Sequence, residues 1–129
     1  MVINILIIRN YFDDHCSYCF IFPLVKLKNL FEDIGIKFNF FFDISKKIFD
    51  CDILLIESRF YDRLKSKENF INLLNYNSNK DTKKIFVDTA DNSGQLKNDI
   101  FPFVDKYWKG QILNKKKIFK SLLWWKIIY

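Results

Sequence analysis

The sequence predicts an α/β fold: a single domain over residues 1–129, three layers deep, with helices on both faces of a parallel sheet. Three observations predict it. Short apolar runs recur at residues 2–8, 36–42, 53–56 and 85–89, each of strand length. Segments with apolar residues at helical spacing separate most of these runs, the pattern of β-α-β units. Half of the 129 residues are hydrophobic and only 3 are Gly and 2 Pro, so the composition is that of a packed core rather than a disordered or linker-rich segment.

Residues 2–8 (VINILII) are almost continuously apolar, as expected of a strand covered on both faces. A polar loop, RNYFDDHCSY, follows. A helix is expected from Ser17 onward, with Phe20, Leu24, Leu27, Phe31 and Ile34 inward. Pro23 suits a first turn, which moves the expected start toward Phe20 or Phe22. Gly35 suits the position just past the helix end. Residues 36–42 (IKFNFFF) alternate as a second strand, with Ile36, Phe38, Phe40 and Phe42 on one face.

A helical turn at residues 45–49 leads into a third strand at 53–56. Residues 69–76 read as a helix with Phe70, Leu73 and Leu74 inward, and 85–89 (IFVDT) as the fourth strand. Residues 101–108 (FPFVDKYW) are a fifth strand or an extended segment that turns at Pro102. Residues 115–129 carry Ile118, Leu122, Trp125 and Ile128 at helical spacing. Together these elements describe a Rossmann-like sheet.

Several function classes drop out. No apolar run approaches the roughly 20 residues of a membrane-spanning helix. No basic segment precedes the first apolar run, so no leader is expected and a cytoplasmic location is. The net charge is +6, with much of the excess at Lys106, Lys109, Lys115, Lys116, Lys117, Lys120 and Lys126. It reads as a solvated surface that permits peripheral contact with an anionic membrane, without a specific nucleic-acid site. Three cysteines do not make a secreted disulfide framework.

Ligands of open parallel sheets bind beyond the carboxyl ends of the strands. There the sequence places Arg9, Asn10, Asp13, Asp14 and His15 after the first strand, and Asp43 after the second. Glu57, Ser58 and Arg59 follow the third, and Asp88, Thr89, Asp91 and Ser93 the fourth. Asp13, Asp14 and His15 are the catalytic candidates, because a carboxylate beside an imidazole fixes its tautomer and raises its basicity. Arg9, Asn10, Asp88, Asp91 and Ser93 are the substrate-binding candidates. No GxGxxG or GxxxxGK(S/T) loop is present, and one His makes no multi-His metal set, so no cofactor and no metal are expected. Cys16 and Cys19 form a CxxC where a strand gives way to a helix, the place of a thiol-disulfide redox pair. That reading requires Pro102 to pack against the two sulfurs.

Residues 86–113, FVDTADNSGQLKNDIFPFVDKYWKGQIL, carry a resemblance. An acidic turn (Asp88, Thr89, Asp91, Ser93, Gly94) follows a strand. Then come Pro102, Phe103, Val104, Asp105, Tyr107, Lys109, Gln111 and Leu113 in fixed spacing. The block is similar to one in the N-terminal, acceptor-side half of bacterial GT-B-type glycosyltransferases of polysaccharide biosynthesis. The resemblance implies two facing Rossmann-like domains, of which this chain supplies the acceptor side and not the donor domain, so that the chain alone is inactive. It implies a nucleotide-sugar donor, a glycan or lipid-linked acceptor and no metal, with Asp13, Asp14 or His15 as the base by their place at a strand end. An apolar face built from Leu122, Trp124, Trp125 and Ile128 is expected to dock a partner chain. A thiol oxidoreductase using Cys16 and Cys19, and a non-catalytic binding module, remain as alternatives.

Overall fold

A computed structural model describes residues 1–77, 81–90, 95–110 and, as backbone, 127–128. The strands are β1 (Val2–Leu6), β2 (Lys37–Phe41), β3 (Ile53–Glu57), β4 (Lys83–Asp88), β5 (Lys106–Lys109) and the short β6 (Ile127–Ile128). They form one all-parallel sheet in the order β2-β1-β3-β4-β5-β6. The helices are α1 (His15–Lys26), α2 (Lys28–Asp33), α3 (Ser58–Asp62) and α4 (Lys67–Tyr76), with 3-10 turns at Tyr11–Asp13, Lys46–Phe49 and Phe101–Phe103.

Register and side-chain alternation sort the strand residues into two faces. Ile3, aligned with Phe38 and Ile53, belongs to the face under α1 and α2, where Phe31 meets Phe38 edge-on with ring centroids 4.9 Å apart. Asn4, aligned with Asn39 and Leu54, belongs to the other face. Its buried amide donates to the carbonyls of Lys47 and Ile48 and accepts from Asn39 Nδ2, which satisfies a polar group inside the core. Farther along that face, Tyr61, Phe70, Phe86 and Tyr107 form a buried aromatic cluster with α3 and α4. The fold is thus three-layered and Rossmann-like, around one hydrophobic core. No helix among the described residues is long and apolar enough to cross a membrane.

Three local expectations need correction. First, the helix after β1 starts at His15, not in the Ser17–Phe22 region, because the Asp14 side chain accepts the Ser17 N–H and caps it there. Pro23 therefore lies inside α1, not in its first turn. Second, the inward stripe is Ser17, Phe20, Ile21, Leu24 and Phe31, while Leu27 and Ile34 are exposed. Leu27 sits at the break between α1 and α2, and Ile34 at the cap of α2, so neither continues the helical phase. Third, Ile127 and Ile128 pair with Tyr107 and Trp108 as a strand, where helical spacing points to a helix. A pair of β-branched residues suits a sheet edge. The rest of the expected helix at 115–129, with Leu122, Trp124 and Trp125, lies outside the described residues.

Gly35 behaves as expected. At φ +79 it closes α2, with its N–H on the Glu32 carbonyl and the Ile36 N–H on that of Phe31, the paired bonds of a Schellman ending.

Candidate functional site at the carboxyl ends of the strands

Strand order reverses between β1 and β3, since β2 lies on one side of β1 and every later strand on the other. A crevice at the carboxyl ends follows from that reversal. An open cleft of about 530 Å³ lies there. Ile8, Arg9 and Asn10 beyond β1, Phe42, Asp43 and Ile44 beyond β2, and Phe60, Arg63, Leu64 and Lys65 from α3 and the link to α4 line it. Ile8 and Phe60 are buried and form an apolar floor. Arg9 donates to Asp43 at 2.7 Å and lies over the Phe42 ring, 5.5 Å from its centroid. Among the described residues, three cations and one carboxylate leave the rim positive.

The three catalytic candidates have different surroundings. Asp14 is occupied: besides capping α1, it lies 3.6 Å from Arg59 Nε and 3.8 Å from Arg63 Nη2. Asp13 and His15 are exposed. The His15 ring approaches Cys19 Sγ at 3.7 Å, so the contact described for the imidazole is a thiol rather than a neighbouring carboxylate. Arg59 Nη2 donates to Cys16 Sγ at 3.6 Å. Cys16, Cys19 and Cys51 are thiols with no disulfide among them. Pro102 sits beside Leu74, Lys84 and Val104 at the amino-terminal end of β4. The Cys16–Cys19 pair begins α1 at the opposite end of the sheet, so the structure does not bring Pro102 and the sulfurs together.

Asp88 reaches the carboxyl end of β4 but turns inward. Its Oδ2 accepts from Tyr107 Oη at 2.6 Å and from Lys109 Nζ at 2.9 Å, and its Oδ1 accepts from the Ala90 N–H. Tyr107 Oη in turn accepts the Lys97 N–H. Burial, then the bond to Asp88, pushes the Tyr107 phenol far up, so it remains a donor. Asp105 accepts from the Lys84 N–H at 2.8 Å. Four residues of the 86–113 block, Asp88, Asp105, Tyr107 and Lys109, thus tie β5 to β4. Asp91 and Ser93 lie outside the described residues.

Glu57 is a second buried carboxyl at this end. It caps α3 by accepting the Phe60 N–H at 3.1 Å, and it accepts the Thr89 hydroxyl. Burial pushes its pKa up, and those bonds pull it partly back. The buried Ser17 hydroxyl lies near the same carboxyl without a hydrogen bond of good geometry. Among the described residues no group of three His, Cys, Asp or Glu side chains is placed to hold a metal ion.

Of the candidates, then, Arg9 and Asn10 line the cleft, Asp13 and His15 flank it in sequence, and Asp14 and Asp88 bond to protein groups. Sequence reasoning missed Phe42 as a cleft wall, and Arg63 and Lys65 altogether. The signal for the last two was Ser66, a capping residue ahead of an apolar helical run. It marks RLK as a link, and the shortness of α3 keeps that link at the carboxyl end. Comparison with protein-family models, with curated proteins and with solved structures finds no match.

Proposed function

We propose that the chain is the acceptor-side domain of a glycosyltransferase, holding an acceptor sugar in the cleft beside Phe42 while a second unit supplies the nucleotide-sugar. The observation that carries this reading is the cleft itself. It opens at the carboxyl ends of β1 and β2, has an apolar floor and an aromatic wall, and is rimmed by hydrogen-bonding groups of Arg9, Asn10, Asp43 and Arg63. Sugars bind by such a combination, with ring faces on apolar or aromatic surface and hydroxyls on fixed polar groups. The similarity of residues 86–113 to the acceptor half of GT-B enzymes supports the same reading.

In the reaction proposed, an acceptor hydroxyl attacks the anomeric carbon of the nucleotide-sugar. The glycosidic C–O bond forms, the bond to the nucleotide diphosphate breaks, and the hydroxyl proton passes to a base. Asp13 and His15, exposed on the turn and helix start that follow Asn10, are the available bases. Asp14 is already cap and counter-ion.

Nuclear magnetic resonance titration of the whole chain tests the proposal. Methyl glycosides of glucose, galactose and N-acetylglucosamine are expected to shift the amide signals of Arg9, Asn10 and Phe42, and UDP and GDP are not. Phe42→Ala should remove the saccharide response. Nucleotide binding in the cleft without any saccharide binding would overturn the reading.

A further inference from the structure

We infer that the cleft selects a sugar carrying an anionic group, a phosphate or a carboxylate. The inference rests on the acceptor-domain reading and deepens it. Its basis is how the charges around the cleft are matched. Arg9 has a counter-ion of its own in Asp43 at 2.7 Å and lies over the Phe42 face. Arg63 is held only loosely, 3.8 Å from Asp14, with its side chain more than half exposed. Lys65 is exposed, and none of the ion pairs among the described residues includes it. Asp14 is shared between Arg59 and Arg63, so Arg63 and Lys65, two positions apart on the link from α3 to α4, bring more positive charge to one rim than that carboxylate matches.

The opposite rim does not neutralise it. Asp43, the one carboxylate lining the cleft among the described residues, already answers Arg9. Beneath the rim, Ile8, Phe60 and Leu64 offer no polar group of their own side chains. A ligand that fills the cleft therefore meets apolar surface below and two under-used cations at one side. A planar guanidinium and a flexible ammonium together suit an oxyanion, since charge-assisted hydrogen bonds are the stronger kind and Arg presents a fork matched to carboxylate or phosphate. A neutral sugar would leave both cations to solvent.

Isothermal titration of the whole chain with glucose, glucuronate, glucose 6-phosphate and inorganic phosphate tests the inference. One or both anionic sugars should bind about tenfold or more tightly than glucose, the size of a charge-assisted hydrogen bond. Which of the two binds decides between carboxylate and phosphate. The double variant Arg63→Ala/Lys65→Ala, checked for an unchanged unfolding transition, should bring the anionic sugar to the level of glucose. Equal binding of glucose and both anionic sugars overturns the inference and leaves the acceptor-domain reading standing. Inorganic phosphate binding as tightly as glucose 6-phosphate overturns it too, because the cleft would then recognise an ion and not a sugar. Absence of any saccharide binding removes both.

Discussion

Arg9–Asp43 and Lys109–Asp88 are ion pairs of similar length, 2.7 and 2.9 Å, at the same carboxyl end of one sheet. The side chains of the first are 71% and 80% exposed, and those of the second 0% and 1%. The first pair stands at the mouth of a cleft. The second lies buried between the paired strands β4 and β5, with the Tyr107 hydroxyl as third partner. Distance therefore says little about what a charge is for. An exposed pair exchanges readily with water and ligand, and contributes little to stability. A buried pair has given up its hydration, so each member holds the other in place.

Removing one member of each pair is the strongest way to break this contrast. Lys109→Ala leaves the Asp88 carboxylate buried without its cation and should cost about 3–5 kcal/mol in urea unfolding. A loss below about 1 kcal/mol would place the pair with the exposed ones. Tyr107→Phe removes one hydroxyl that both donates to Asp88 and accepts from Lys97, and about 1–2 kcal/mol should go with it in the same measurement.

Glu57 sharpens the comparison as a buried carboxyl for which no cation forms a salt bridge among the described contacts. Its pKa is raised in the fold above the ordinary 4.5, chiefly by burial. The folded state thus binds the proton more tightly than the unfolded one. The resulting stabilisation is full below pH 4.5 and is lost as pH rises through the raised value. Glu57→Gln keeps one acceptor oxygen, enough for the Phe60 N–H, and turns an amide donor toward the Thr89 hydroxyl; it should flatten that decline, with a change of about 1–2 kcal/mol at neutral pH. A variant that keeps the wild-type pH slope would assign the decline to another group. Arg9→Ala should be the mildest for stability, within about 1 kcal/mol, while weakening saccharide binding in the titration above.

Much of the scaffold was legible because it rests on local patterns. The apolar runs became β1 to β4, Gly35 took the positive φ its place suggested, and Phe70 and Leu74 faced inward. The start of α1 was harder, because Pro23 is a first-turn signal and Asp14 a capping signal, and the cap prevailed. The site was legible only as a list of strand ends. Whether Asp88 faces solvent or Lys109 depends on β5 pairing with β4 across residues far apart in sequence, which no local pattern reports. Arg63 and Lys65 gather beside Arg9 for the same reason: three links meet at one end of the sheet.

The place of β1 has a consequence for how the chain is made. Of the six strands described, the earliest synthesised ends between β2 and β3, with Ile3 aligned to Phe38 on one side and Ile53 on the other. Until residues 53–57 leave the ribosome, one edge of an apolar strand has no partner, the condition in which strands join the wrong neighbour. Beyond that point β4 and β5 each add to the outer edge in the order of synthesis. Nascent chains halted before Glu57 should therefore engage chaperones, and those halted after β4 far less.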